Sequence, residues 1–230
     1  MYIKKRIFIF LLLSIFLTWP HVFTCYAKNN ITSKSELLYT IKEYIKKAEI
    51  LDRDDKKRAE YFEQASKLSQ DLINYYPDEE MGYAYLAYSL GSITREIPFY
   101  KKVSAARKIK ESIDKALALN EKNHLAWFVA GMFYRESAKI DGFQRKLAEK
   151  YLKNIIEGAS FEKAIDCFKN AINLDESNIQ YRYELAKTYE DFGKTDMALA
   201  EYRKILSFQT KEKKDLIYQH KAQNQLKKSS

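Results

Sequence analysis

The chain has 230 residues, 40 Lys and Arg against 31 Asp and Glu, a formal charge of +9, and 46% hydrophobic residues. Six glycines and three prolines are few, which favours helix nearly throughout, and no stretch shows the period-two alternation of a strand. The positive excess is mild and spread along helices, and no glycine-aromatic RNA motif, Cys/His finger or basic arm occurs, so nucleic acid is excluded as the partner.

Residues 1–27 read as a secretory signal peptide. Lys4, Lys5 and Arg6 supply the positive start, Ile7 to Trp19 is almost unbroken apolar sequence, and Cys25-Tyr26-Ala27 offers a cleavage site. The apolar run is shorter than the ~20 residues that cross a bilayer. An uncleaved N-terminal anchor and a lipoprotein acylated at Cys25 are the lesser alternatives. Export to the periplasm or beyond is the expectation, with a mature chain 28–230 of about +6. Cys167 is then the one cysteine left, so no internal disulfide forms. It reads as a small half-buried side chain beside Phe168. Asn30-Ile31-Thr32 fits a glycosylation sequon.

Four helix pairs come next, at about 33–78, 79–123, 124–178 and 179–210. The first is the most degenerate: Ala65 keeps its pattern, Pro77 closes it, and the charged stretch Asp52 to Arg58 is its expected turn. The second opens at Glu80 with Tyr83, Leu86 and Ala87, and ends in Ala116-Leu117-Ala118-Leu119-Asn120. About ten extra residues, Gly91 to Lys101 with Pro98 among them, separate its two helices. The third opens at His124 with Trp127, Gly131 and Tyr134, and its second helix carries Ala164, Phe168 and Ala171. Trp127 and Ala164 lie 37 apart, where an uninterrupted repeat has ~16, so about 21 residues are inserted. Within that insertion Phe143, Leu147, Tyr151 and Ile155 keep helical spacing, and Gly158 stands near its end. The fourth pair has Leu185-Ala186 and Tyr189 in its first helix, Gly193 at the turn, and Ala198 and Tyr202 in its second. Residues 211–228 make a last helix, with Leu216, Ile217, His220 and Leu226 expected on its inner side as a cap.

The fourth pair, Ile179 to Thr210, is a complete 34-residue tetratricopeptide (TPR) repeat, with only Arg182 out of place in the Trp slot. The fold class is therefore all-α: a TPR-like helical-hairpin solenoid of about four pairs, with insertions inside pairs 2 and 3 and a C-terminal capping helix. Both insertions fall at the turn between the first and second helix, so they project from the same edge as a lip. The lip carries Arg95, Lys101, Lys102, Arg145, Lys146, Lys150 and Lys153. It is either an ordinary solvated face or a basic rim for an acidic partner or weak membrane-surface contact.

No phosphate loop, zinc motif, nucleophile elbow or calcium loop is present, so no enzyme, cofactor or metal site is expected. His124 and His220 read as structural. In this repeat type, positions 2, 5, 9 and 12 of each first helix line a concave groove. They are Met81, Ala84 and Tyr88 in pair 2; Leu125, Phe128, Met132 and Arg135 in pair 3; and Gln180, Tyr183, Lys187 and Glu190 in pair 4. A Met and aromatic groove suits an amphipathic helix or an apolar peptide. Either a partner or the protein's own cap and lip fill it. The chaperone carboxylate clamp is absent, because Tyr183 and Ala84 stand where its lysines would.

From about Tyr83 to Leu226 the chain resembles the regulator of microtubule dynamics family and its bacterial relatives. The carrying residues are Ile109 to Asn120 (IKESIDKALALN), the His124–Trp127–Gly131 opening, Ala159 to Ile165 closing the interrupted pair, Glu184 to Tyr189, and the ending Asp215, Ala222, Leu226. The resemblance implies an all-α repeat-built binding protein. The family's link in animals to microtubules and mitochondrial membrane contact is not carried over, because this chain opens on a signal peptide. The functional expectation is a non-catalytic exported scaffold that holds a peptide or protein partner in its groove. The alternative is a periplasmic carrier of a small apolar ligand or lipid, with the lip closing over the groove.

Overall fold

A computed structural model describes residues 33–52, 54–94, 99–140, 142–210 and 212–228. Among these are ten helices: α1 (Lys34–Glu49), α2 (Lys56–Tyr75), α3 (Glu80–Ile93), α4 (Phe99–Leu119), α5 (His124–Ala138), α6 (Gly142–Ile156), α7 (Phe161–Leu174), α8 (Ile179–Asp191), α9 (Thr195–Ser207) and α10 (Lys213–Lys228). The chain divides into Met1–Glu36 and Leu37–Ser230. Of the first unit only Ser33–Glu36 are described; there the Ser33 hydroxyl accepts the Glu36 N–H at 3.2 Å and caps α1. The expected signal segment, the sequon, Arg95 and Pro98 lie outside the described residues. The helical array belongs to the second unit.

Local chemistry sets the helix ends. Asp55, Asn123 and Ser160 each accept a backbone N–H of the first turn, at 2.8, 2.9 and 3.2 Å, which satisfies donors a helix start leaves open. Gly193 takes φ +75° between α8 and α9, a conformation that L side chains rarely adopt. The helix then closes with Lys194 N–H donating to Tyr189 C=O at 2.8 Å.

Three of the four expected pairs are seen as packed hairpins, α3–α4, α5–α7 and α8–α9, and α2 packs on α3. Small residues let these helices approach. Ala84, Ala116 and Ala126 form one buried contact, and Gly131 lies directly against the Phe168 ring. Of the first insertion, Gly91–Ile93 end α3 and Phe99–Lys101 begin the 21-residue α4. The second is the separate helix α6, which packs on α4. Ala148, Leu152 and Ile156 bury themselves against Val103, Ala106, Phe133 and Ile140.

Two expected stripes are corrected by one helical step. The inner side of α6 is Ala148, Leu152 and Ile156, with Ile155 beside them; Tyr151 is 49% exposed. Docking on α4 sets this register, and the helix kinks at Leu152 (φ −131°, ψ 15°) to keep it. On α10, Leu216 is 48% exposed and His220 is also exposed. Its inner side is Tyr218, Ala222 and Leu226, because a small residue at Ala222 permits close approach and Tyr218 finds an aromatic partner on α8.

Candidate functional site

Helices α3, α5 and α8 carry the eleven sequence-predicted groove residues, which fall into three groups. At the N-terminal end Met81 and Leu125 are half-buried. The Met81 sulfur accepts from Asn123 Nδ2 at 3.3 Å, and Ala84 beside them is fully buried.

The centre is covered by the chain itself. Tyr88, Phe128 and Gln180 are buried, Phe128 to 1% exposure. The Tyr88 hydroxyl donates to Glu49 Oε1 of α1 at 2.6 Å and accepts from Gln180 Nε2 at 3.0 Å. Lys214 of α10 reaches the other Glu49 oxygen at 2.9 Å. Helices at both ends of the sequence therefore meet over α3 and α8. Phe128 stacks on Tyr181 at 4.5 Å and touches Tyr88 and Phe168 at 6.0 and 5.8 Å between ring centres. Tyr88 in turn meets Phe62 edge-on. Such contacts add to area burial through the ring quadrupoles.

At the C-terminal end Arg135 is buried while its guanidinium donates to Glu184 Oε2 at 2.7 Å and to the Met132 sulfur at 3.2 Å. Asp191 lies 3.9 Å from it and also binds Lys139 at 3.0 Å. Met132, Tyr183, Lys187 and Glu190 are half-buried there. Lys187 pairs with Glu190 along α8, and Tyr183 lies 5.2 Å from the Tyr218 ring of α10.

The ionisation of these groups follows from their surroundings. Burial, then the Glu49 carboxylate, pushes the Tyr88 phenol well above its ordinary value. Burial, then Glu184 and Glu49, does the same to Tyr218, with Arg58 opposing. Burial works against the charge of Arg135, but the Glu184 carboxylate outweighs it and the guanidinium is held more firmly protonated than usual. Burial raises the Cys167 thiol to about 11, so the thiolate is scarce at neutral pH. His124 Nδ1 is engaged with the Tyr181 hydroxyl at 2.7 Å. Tyr88, Arg135 and His124 are thus held in hydrogen bonds and ion pairs. No cluster of three or more His, Cys, Asp or Glu that could hold a metal ion occurs among the described residues.

Sequence reasoning missed Glu49, Lys214 and Tyr218. They come from helices separated by the whole array, and no local spacing marks them. Tyr181 sits one position off the groove series, so the groove pattern does not reach it. On the lip, Lys101, Lys102, Lys146, Lys150 and Lys153 are exposed, and Arg145 is half-buried against Glu149 at 3.2 Å. Arg107 adds to this face and donates to the Tyr151 carbonyl at 3.3 Å.

The family model for regulator of microtubule dynamics protein 1-3 matches residues 21–230. No curated protein matches the sequence. Among solved structures, TTC0263, a thermophilic TPR protein of Thermus thermophilus, is similar with a TM-score of 0.55 and 18% identity over 88% of this chain and 87% of that one. MamA gives a TM-score of 0.41 and 17% identity over 78% of this chain and 97% of its own. At such identities the likeness to TTC0263 speaks to the fold.

Proposed function

This chain belongs to the regulator of microtubule dynamics protein 1-3 family, and from that membership we propose that it is a non-catalytic, exported interaction scaffold holding a peptide or protein partner on its concave layer. A TPR-like array of this kind mediates protein–protein interaction in general. The observation that carries the finer reading is the half-buried patch Met132, Tyr183, Lys187 and Glu190, framed by the Arg135–Glu184 ion pair. An aromatic ring and a thioether flanked by paired charges give a partner an apolar anchor and a polar rim. Export rests on the basic-then-apolar N-terminal sequence, and weak membrane-surface contact on the exposed lysines of the lip. The carrier alternative needs an apolar chamber beneath the lip. The apolar residues of α6 instead pack on α4, which favours the scaffold.

The test is capture from the native envelope fraction with residues 28–230, wild type against a Tyr183→Ala/Lys187→Glu variant. A partner held by the wild type and lost by a variant of equal helicity supports the reading. Equal capture by both would remove the concave layer from consideration.

A further inference from the structure

The chain's own last helix displays what the concave layer accepts. α10 lies on α8 and α9, and only Ala222 of its sixteen residues is fully buried. Its inward residues are Lys214, Tyr218, Ala222 and Leu226, spaced four apart so that they share one side of the helix. Each meets a definite counterpart. Lys214 pairs with Glu49 at 2.9 Å, where the Glu49 side chain is only 10% exposed. Tyr218 packs its ring against Tyr183 at 5.2 Å. Ala222 sits at 0% exposure in the main core, and Leu226 packs against that core. Gln219, at the flank of this side, ties α10 to the end of α9 by donating to the Ile205 and Phe208 carbonyls at 3.2 and 2.7 Å.

A nearly buried carboxylate paired with a lysine, an aromatic ring packed on a tyrosine and a fully buried alanine make a specific pattern. Charge at Glu49 would be costly there without a cation. We infer that the concave layer is a receptor for one kind of helix, of which α10 is the resident copy. The partner is a protein presenting an amphipathic helix with a cationic residue, an aromatic residue four positions on, a small residue eight on and an aliphatic residue twelve on. It binds by replacing α10. This deepens the concave-layer reading above and rests on it. Because α10 is tethered, it competes at an effective concentration of order millimolar, so a free helix binds weakly until α10 is released.

The experiment uses the full chain and a fluorescein-labelled synthetic peptide of residues 213–228. Ala222→Arg in the protein unseats α10 while leaving every receptor residue intact. Anisotropy titration is expected to give at least tenfold tighter peptide binding to Ala222→Arg than to wild type. Peptides carrying Lys214→Glu or Tyr218→Ala should lose at least tenfold. Should Ala222→Arg lose helicity, Lys214→Glu in the protein serves in its place. Equal binding to both proteins, no binding to either, or indifference to the peptide substitutions overturns the proposal. A dimer that the peptide dissociates also overturns it, in favour of a second copy as occupant. The outcomes separate from those of the scaffold reading: an envelope partner that the peptide does not compete leaves the scaffold standing and removes this recognition pattern. A peptide that binds as expected with no envelope partner does the reverse.

Discussion

Gly131→Ala adds one methyl group, and the structure sets its cost. A Cβ built at Gly131 lies 2.9 Å from three atoms of the Phe168 ring, whereas carbon atoms rest at about 3.5–4.0 Å. The ring has nowhere to retreat. It is 0% exposed, with Phe128 at 5.8 Å on one side and the Arg135 guanidinium 5.9 Å from its centre. The α5 and α7 backbones must therefore part by about half an ångström, which places the substitution toward the upper end of overpacking costs, about 2–3 kcal/mol. Alanine returns about 1 kcal/mol of helix propensity, leaving about 1–2 kcal/mol of net loss. For a domain of this size that is a fall in Tm of about 2–8 °C. Gly91 is the internal control, since a Cβ there meets nothing within 4 Å. Gly91→Ala should raise Tm, by about 1–4 °C for a gain of about 0.5–1 kcal/mol. Circular dichroism at 222 nm during heating reads both. A Gly131→Ala protein that melts at or above the parent would refute the argument from ring contact.

Phe128→Asp should abolish the cooperative melt rather than only block binding. It removes a ring seated among Tyr88, Phe168 and Tyr181, a loss of about 3–5 kcal/mol for aromatic truncation alone, and buries a carboxylate besides; a native-like melt would show that the ring is not core. Glu184→Ala strands the Arg135 charge at 6% side-chain exposure and should cost about 3–5 kcal/mol in urea unfolding, while a loss below about 1 kcal/mol would mean that Asp191 and Glu136 suffice. The phenols of Tyr85, Tyr88, Tyr181, Tyr202 and Tyr218 are all raised, with burial the leading cause in each. Above pH ~10 the unfolded chain ionises them and the folded one does not, so it binds fewer protons than the folded chain. Their contribution is thus whole below pH ~10 and is lost as pH climbs from there. Absorbance at 295 nm should show these groups ionising together with loss of helicity; smooth ionisation near pH 10 with helices intact would contradict their burial.

Much of the architecture was legible locally. Gly193, Ala198 and Tyr202 sit where a repeat turn and second helix require them, because backbone conformation and close packing act over a few residues. Gly131 was likewise visible as a small-residue slot, although the ring it must clear became known only with Phe168 in place. The insertion between Trp127 and Ala164 was readable as a count. Its facing was not: α6 and α10 each offer two plausible apolar stripes, and the choice of Ala148 over Leu147, or Ala222 over His220, belongs to the neighbour that each helix meets.

The sequence by itself determined that this protein is an all-helical repeat array and where its pairs are interrupted. Those properties follow from helical periodicity, turn chemistry and the small residues that let helices stack. Only the tertiary structure decided what covers Tyr88, Phe128 and Gln180. Glu49, Tyr88, Gln180 and Lys214 come from four helices spread from the first to the last. Their meeting depends on how successive pairs turn relative to one another, an angle accumulated over the whole array and written in no single segment.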